Sequence, residues 1–111
     1  MTTKVRMRYE PMREISGASV TGTYQAIGSP LNNPLQLIIF QNTTSQNARI
    51  SLDGITDFLY LPANTSFVID ISTNSTFEDG LFLGAETTVF VKDDGVALGA
   101  GSIFVTAIYG T

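Results

Sequence analysis

Five carboxylates, Asp53, Asp57, Asp70, Glu78 and Asp79, are close enough along the chain to be weighed as a catalytic pair. Glycoside hydrolysis is the chemistry they would suit. It needs one carboxyl to protonate a leaving group and a second to attack or to activate water. Nothing around these five separates them from solubilising residues in turns and on strand faces. Sugar chemistry also calls for aromatic rings that stack on the substrate. Phe40, Phe58, Phe67, Phe90 and Phe104 all fall within strand patterns, where core packing explains them, and there is no tryptophan. The chain has no cysteine and no histidine. Disulfides, thiolate zinc sites, histidine-based triads and imidazole acid–base catalysis are therefore excluded. The expectation is a protein that is not an enzyme and that holds no cofactor and no metal.

Other motifs reduce to turn chemistry. Asp93-Asp94-Gly95 has the composition of a cation loop but lacks the ligand spacing of an EF-hand, so a tight turn is expected. Gly99-Ala100-Gly101 precedes a strand rather than a helix, which removes the setting of a dinucleotide site. Asn42-Thr43-Thr44, Asn64-Thr65-Ser66 and Asn74-Ser75-Thr76 match the glycosylation sequon. Residues 1–14 lack the apolar centre of a signal peptide, so these triplets read as turns in which Asn and Thr bond nearby backbone.

Charge is distributed unevenly. Residues 1–14 carry Lys4, Arg6, Arg8 and Arg13 against Glu10 and Glu14, whereas the rest of the chain carries only Arg49 and Lys92 against eight carboxylates. A net charge of −4 argues against wholesale nucleic-acid binding. No apolar run approaches the ~18–20 residues of a membrane-spanning helix. In the leading segment Lys4, Arg6 and Arg8 alternate with Val5, Met7 and Tyr9 until Pro11 interrupts the pattern. Such an extended strip could add to a neighbouring sheet while its charges meet acidic groups of a partner. Lys4, Val5, Arg6, Met7, Arg8, Tyr9 and Arg13 are thus the candidate partner-binding residues. Packing of the strip against its own acidic domain is the alternative. The expected organisation is a basic extended arm at 1–14 followed by one domain at 15–111.

That domain reads as all-β. Residues 15–29 place Val20, Gly22, Tyr24 and Ala26 on one parity. Leu35–Gln41 is a continuous apolar run, expected to be buried on both faces. Ala48, Ile50 and Leu52 alternate with Arg49, Ser51 and Asp53, and Asp53-Gly54 is a hairpin signal. Asp57–Leu61 and Ser66–Ser72 follow, the latter with Phe67, Ile69 and Ile71 inward and Asp70 outward. Leu81–Leu83, Thr87–Lys92 and Ser102–Tyr109 complete the set. About eight short strands separated by turns, with no significant helix, predict a two-sheet antiparallel sandwich, most economically jelly-roll-like.

The texture of IIFQNTTSQNARISLDGITDFLYLPANTSFVIDIS, followed by VFVKDDGVALGAGSIFVTAIYG, resembles small jelly-roll virion proteins of tailed bacteriophages. Size, composition and expected architecture are similar to the capsid decoration proteins of epsilon-fifteen-like podophages. That resemblance implies a structural protein on the outer surface of the capsid, stapling neighbouring major capsid subunits, with the major capsid protein as partner. A homodimer at a two-fold position would suit a staple. It implies no catalytic residue, no nucleic-acid partner and no membrane partner. A neck, tail or receptor-binding module is the alternative virion role, and a carbohydrate-binding domain is the alternative outside it.

Overall fold

In the C-terminal run, Ile103, Val105 and Ala107 are fully buried while Phe104, Thr106 and Ile108 are half-buried. This alternation makes a strand with one core face, and the sandwich is arranged around it. The computed structural model describes residues 7–33, 35–70 and 86–110. Its strands, in chain order, are β1 (Met7–Tyr9), β2 (Arg13–Ser16), β3 (Gln25–Ala26), β4 (Leu37–Asn42), β5 (Ala48–Ser51), β6 (Leu59–Leu61), β7 (Thr65–Asp70), β8 (Phe90–Asp93) and β9 (Ser102–Gly110). One 3-10 turn, Gly17–Ser19, is the only helical element among the described residues. The protein is all-β, with two antiparallel sheets of five and four strands.

The five-stranded sheet runs β1-β9-β4-β7, with β2 also paired to β9, and the four-stranded sheet runs β3-β8-β5-β6. β1 and β2 are two halves of one strand. Both lie on β9, and the ladder breaks around Pro11, whose ring leaves no N–H to donate. With those halves joined, the first strand pairs with the last, the second with the seventh, the third with the sixth and the fourth with the fifth. That is a long ribbon wrapped on itself, the topology of a jelly roll.

Inner faces interdigitate to make the core. Ile38 and Phe40 of β4, Ala48 and Ile50 of β5, Leu61 of β6, Val91 of β8 and Ile103, Val105 and Ala107 of β9 are all fully buried. Ile27, Leu31, Leu35 and Leu98 extend it from the loops. Each large aliphatic or aromatic side chain among them contributes roughly 1.5–3 kcal/mol by leaving water. Close backbone approach seals one end of the sandwich. The Gly17 N–H donates to the Gly101 carbonyl at 2.9 Å. Gly101 has a φ of +95° and no room for a Cβ, which would lie 2.8 Å from the Thr43 carbonyl oxygen. The Gly-Ala-Gly run is a packing device.

Three expectations need correction. Among the described residues β2 spans Arg13–Ser16, so a boundary between residues 14 and 15 would cut through it. Residues 15–29 are not one long strand. Ile15 and Ser16 end β2, Ser16 caps the 3-10 turn by accepting from the Ala18 N–H, and beyond it only Gln25–Ala26 pairs. β4 is not buried on both faces: Ile38, Phe40 and Asn42 face the core, and Leu37, Ile39 and Gln41 are half-buried on the other side. The strand expected at Leu81–Leu83 lies outside the described residues, as do Ile71, Glu78, Asp79 and the Asn74 sequon.

Candidate functional site

Arg13 is the first candidate whose surroundings differ from the expected ones. It faces inward beside Val105 and is only 7% exposed. Its Nη2 donates to Glu10 Oε1 at 2.8 Å and to the Pro30 carbonyl at 3.0 Å, and its Nε donates to the Ser29 carbonyl at 2.8 Å. Glu10, 3% exposed, also accepts from the backbone N–H groups of Asn32 and Asn33 and from Asn33 Nδ2. Burial pushes the Glu10 carboxyl up, but hydrogen bonds from Arg13, Asn33 and Asn32 outweigh it and hold the group below its ordinary value. The pair clamps residues 29–33 onto the β1–β2 corner. Arg13 is therefore unsuited to an exposed partner contact.

Lys4, Val5 and Arg6 lie outside the described residues. Met7, Arg8 and Tyr9 form β1, paired with Gly110, Tyr109 and Ile108. Arg8 is exposed and shares the parity of Tyr109, whereas Tyr9, 77% exposed, shares that of Ile108. Neighbouring members of the expected strip thus point to opposite faces, as in any strand.

Tyr9 leads onto the outer face of the five-stranded sheet. Register aligns Tyr9, Ile108 and Leu37 across β1, β9 and β4. The next outward row aligns Thr106, Ile39 and Val68 across β9, β4 and β7. Phe104 follows, opposite Glu14 and Gln41. Val68 is 54% exposed, and Leu37, Ile39, Phe104 and Ile108 are half-buried. The outer face of the five-stranded sheet thus carries an apolar strip from Tyr9 through Ile108, Leu37 and Ile39 to Val68, bordered by Asp70, Thr106, Gln41, Ser66 and Glu14. The signal was present in the sequence: LQLIIF and SIFVTAIY lack polar alternation because both of their parities are apolar.

The opposite sheet presents a polar face. Lys92, Arg49 and Tyr60 align across β8, β5 and β6. The Lys92 ammonium lies 4.7 Å from the centre of the Tyr24 ring, and the Arg49 guanidinium 5.8 Å from that of Tyr60. Asp57 accepts from the Tyr24 hydroxyl and from Arg49 Nη1 at 2.9 Å, and forms an ion pair with Lys92 Nζ at 3.6 Å. Asp94 accepts from Arg49 Nε at 2.6 Å. Burial, followed by the bond to Asp57, pushes the Tyr24 phenol up. Two cations and two carboxylates neutralise one another here and tie loop 52–58 and Asp94 to the sheet.

An open cleft of about 250 Å³ adjoins this cluster, lined by Leu52, Asp53, Thr56, Asp57 and Phe58. It contains the closest match to the expected carboxylate pair. Asp53 accepts from the N–H groups of Thr56 and Ile55 and from the Ser51 hydroxyl, and these bonds hold its pKa at about 2. Asp57 is also held below the ordinary range, chiefly by the Tyr24 hydroxyl. A general acid needs a raised pKa, and both carboxyls are shifted the other way. Of the aromatics expected in the core, Phe40 is fully buried, while Phe58 and Phe67 are 36% and 42% exposed.

The Asn42 sequon is internal. Asn42 is 2% exposed, and its Nδ2 donates to the Gln46, Leu61 and Pro62 carbonyls. Among the described residues, no helix is long and apolar enough to cross a membrane. No family model matches the chain, and neither a curated protein nor a solved structure matches it.

Proposed function

We propose that this protein is a non-catalytic structural component of a phage virion. It would decorate the outer surface of the capsid and bridge neighbouring major capsid subunits. The observation that carries the reading is the apolar strip on the outer face of the five-stranded sheet, with Tyr9 and Val68 as its most exposed members. Monomers seldom leave a broad apolar sheet face to solvent without a use for it. A strip that crosses several strands, rimmed by polar residues, suits a partner that is itself a broad protein surface. Binding by each copy can be weak, because many copies engage the same shell. A homodimer at a two-fold position would let one molecule reach two subunits. Lys4, Arg6 and Arg8 are retained as a secondary, steering contribution from the leading end of the chain.

The test is cosedimentation with capsids stripped of this protein. Replacing Tyr9 and Ile108 together by Ser should weaken binding by about tenfold or more, as expected when a central aromatic anchor is lost, while the folded spectrum is kept. Undiminished binding would contradict the reading. Residues 1–14 should not be deleted as a block, because that removes two strands of the sheet. Deleting residues 1–6 isolates the basic end. A few copies at a neck or tail would favour the alternative virion role.

Carbohydrate binding is supported by one observation. Tyr60, 46% exposed, stands beside Arg49 on the polar face. Saturable binding on a glycan array that disappears in Tyr60→Ala would favour it over the capsid reading.

A further inference from the structure

β7 is the outermost strand of the five-stranded sheet and pairs only with β4. In an antiparallel ladder, alternate residues turn their N–H and C=O groups toward the neighbour and the others turn them away. Between Ser66 and Ile69, the outward groups have no other backbone partner among the described residues. Edge strands are normally guarded by lysine, proline, a bulge or a covering loop. The strand TSFVID has no proline and no basic residue, and its one charge, Asp70, stands at its end. It is also exposed on both sides: Phe67 is 42% exposed on the inner parity and Val68 54% exposed on the outer.

We infer that β7 is a pairing edge whose partner is β7 of a second copy. Antiparallel self-pairing has a two-fold axis, so a single patch closes the contact and leaves no further edge to propagate. Centred on Phe67, the pairing sets Phe67 against its counterpart. Ser66 then faces Val68, Thr65 faces Ile69 and Asn64 faces Asp70. Aromatic pairs are favourable across strands. The two Asp70 carboxylates fall at opposite ends of the ladder, roughly 20 Å apart at strand rise. A register centred on Asp70 would bring them face to face.

The strand is suited to its own copy because one operation sets the exposed Phe67 against its counterpart and separates the two Asp70 carboxylates. The product is a continuous ten-stranded sheet, twice the observed five. Its outer face joins the two apolar surfaces at Val68. The contact is narrow, one six-residue strand from each copy, well short of the ~800 Å² per partner of a standard interface. The dimer should therefore be concentration-dependent. The inference stands on the edge geometry alone, so failure to bind a capsid would not touch it.

Sedimentation velocity over rising concentrations of the full chain should show a monomer–dimer equilibrium. Val68→Lys and Phe67→Lys, both at exposed positions, should shift it to monomer while keeping the folded spectrum. Tyr60→Lys on the other sheet should leave the dimer intact. Because the protein contains no cysteine, single-cysteine variants report proximity cleanly. Under mild oxidation Phe67→Cys should form a linked dimer, and Ile55→Cys, at a loop position 84% exposed, should not. A monomer at every concentration would overturn the inference. So would a dimer that survives both lysine variants, or one that Ile55→Cys traps as readily as Phe67→Cys. Protection of the edge only in the presence of another protein would overturn it too.

Discussion

Glu10 and Arg13 stabilise the fold only as a pair. Each is buried, and each satisfies backbone groups of the 29–33 segment as well as its partner. Removing one partner of such a pair leaves an uncompensated charge out of water. Glu10→Gln should cost about 3–5 kcal/mol, read as a lower urea midpoint at unchanged slope. Replacing both residues by apolar ones should not be neutral here, because the Asn32 and Asn33 N–H groups would lose their acceptor.

The pair also sets a pH dependence. The folded pKa of Glu10 lies below its ordinary 4.5, so its stabilising contribution is fully present above 4.5. It is lost as the pH falls through the lower folded value. Asp53 acts in the same direction, losing its contribution between 3.8 and about 2. Thermal melts should therefore decline as the pH drops below 4.5, and Glu10→Gln should flatten the upper part of that decline. A melt in Glu10→Gln as steep as that of the parent would show that other groups carry the acid sensitivity.

At the level of elements, loops are held by side chains that accept from backbone. Asp53 organises loop 52–58, and Asp53→Ala should lower the melting temperature and expose that loop to proteolysis. Gly101→Ala should destabilise by more than about 1 kcal/mol, because the φ is positive and the added carbon would meet the Thr43 carbonyl. An unchanged melt would show that Thr43 can move aside.

Strands with one apolar parity were legible in the sequence, as in β5, where Ala48 and Ile50 face the core and Arg49 faces out. Asp53-Gly54 and Pro62-Ala63-Asn64 do mark turns, with Gly54 and Asn64 at positive φ. β1 and β2 were not legible as part of the sheet. Their charges and Pro11 have the local character of an arm, and only pairing with β9, some ninety residues along the chain, makes them strands. Arg13 was misplaced for the same reason. Its acceptors come from residues 10, 29 and 30, which no local pattern connects.

For the whole molecule, the two broad faces differ in chemistry. One is a neutralised lattice of Tyr24, Lys92, Arg49, Tyr60, Asp57 and Asp94, suited to solvent. The other carries the apolar strip from Tyr9 to Val68. If the apolar face makes the contact, raising the salt concentration should change capsid binding little, since screening weakens exposed charge pairs and not apolar burial. Steep loss of binding with salt would return the main role to Lys4, Arg6 and Arg8. The jelly-roll class was legible from strand count and turn spacing. The proposed role of the outer strip was not, because a strand apolar on both parities looks the same whether its outer side meets another layer of its own chain or another protein.

Imaging of intact particles, at a resolution that places this chain, tests the central claim most directly. The account predicts many copies on the outside of the shell, each with Tyr9, Ile39, Val68 and Ile108 turned toward capsid subunits and Tyr60 turned away. Copies confined to a neck or tail, or copies resting on the Tyr60 face, would contradict it.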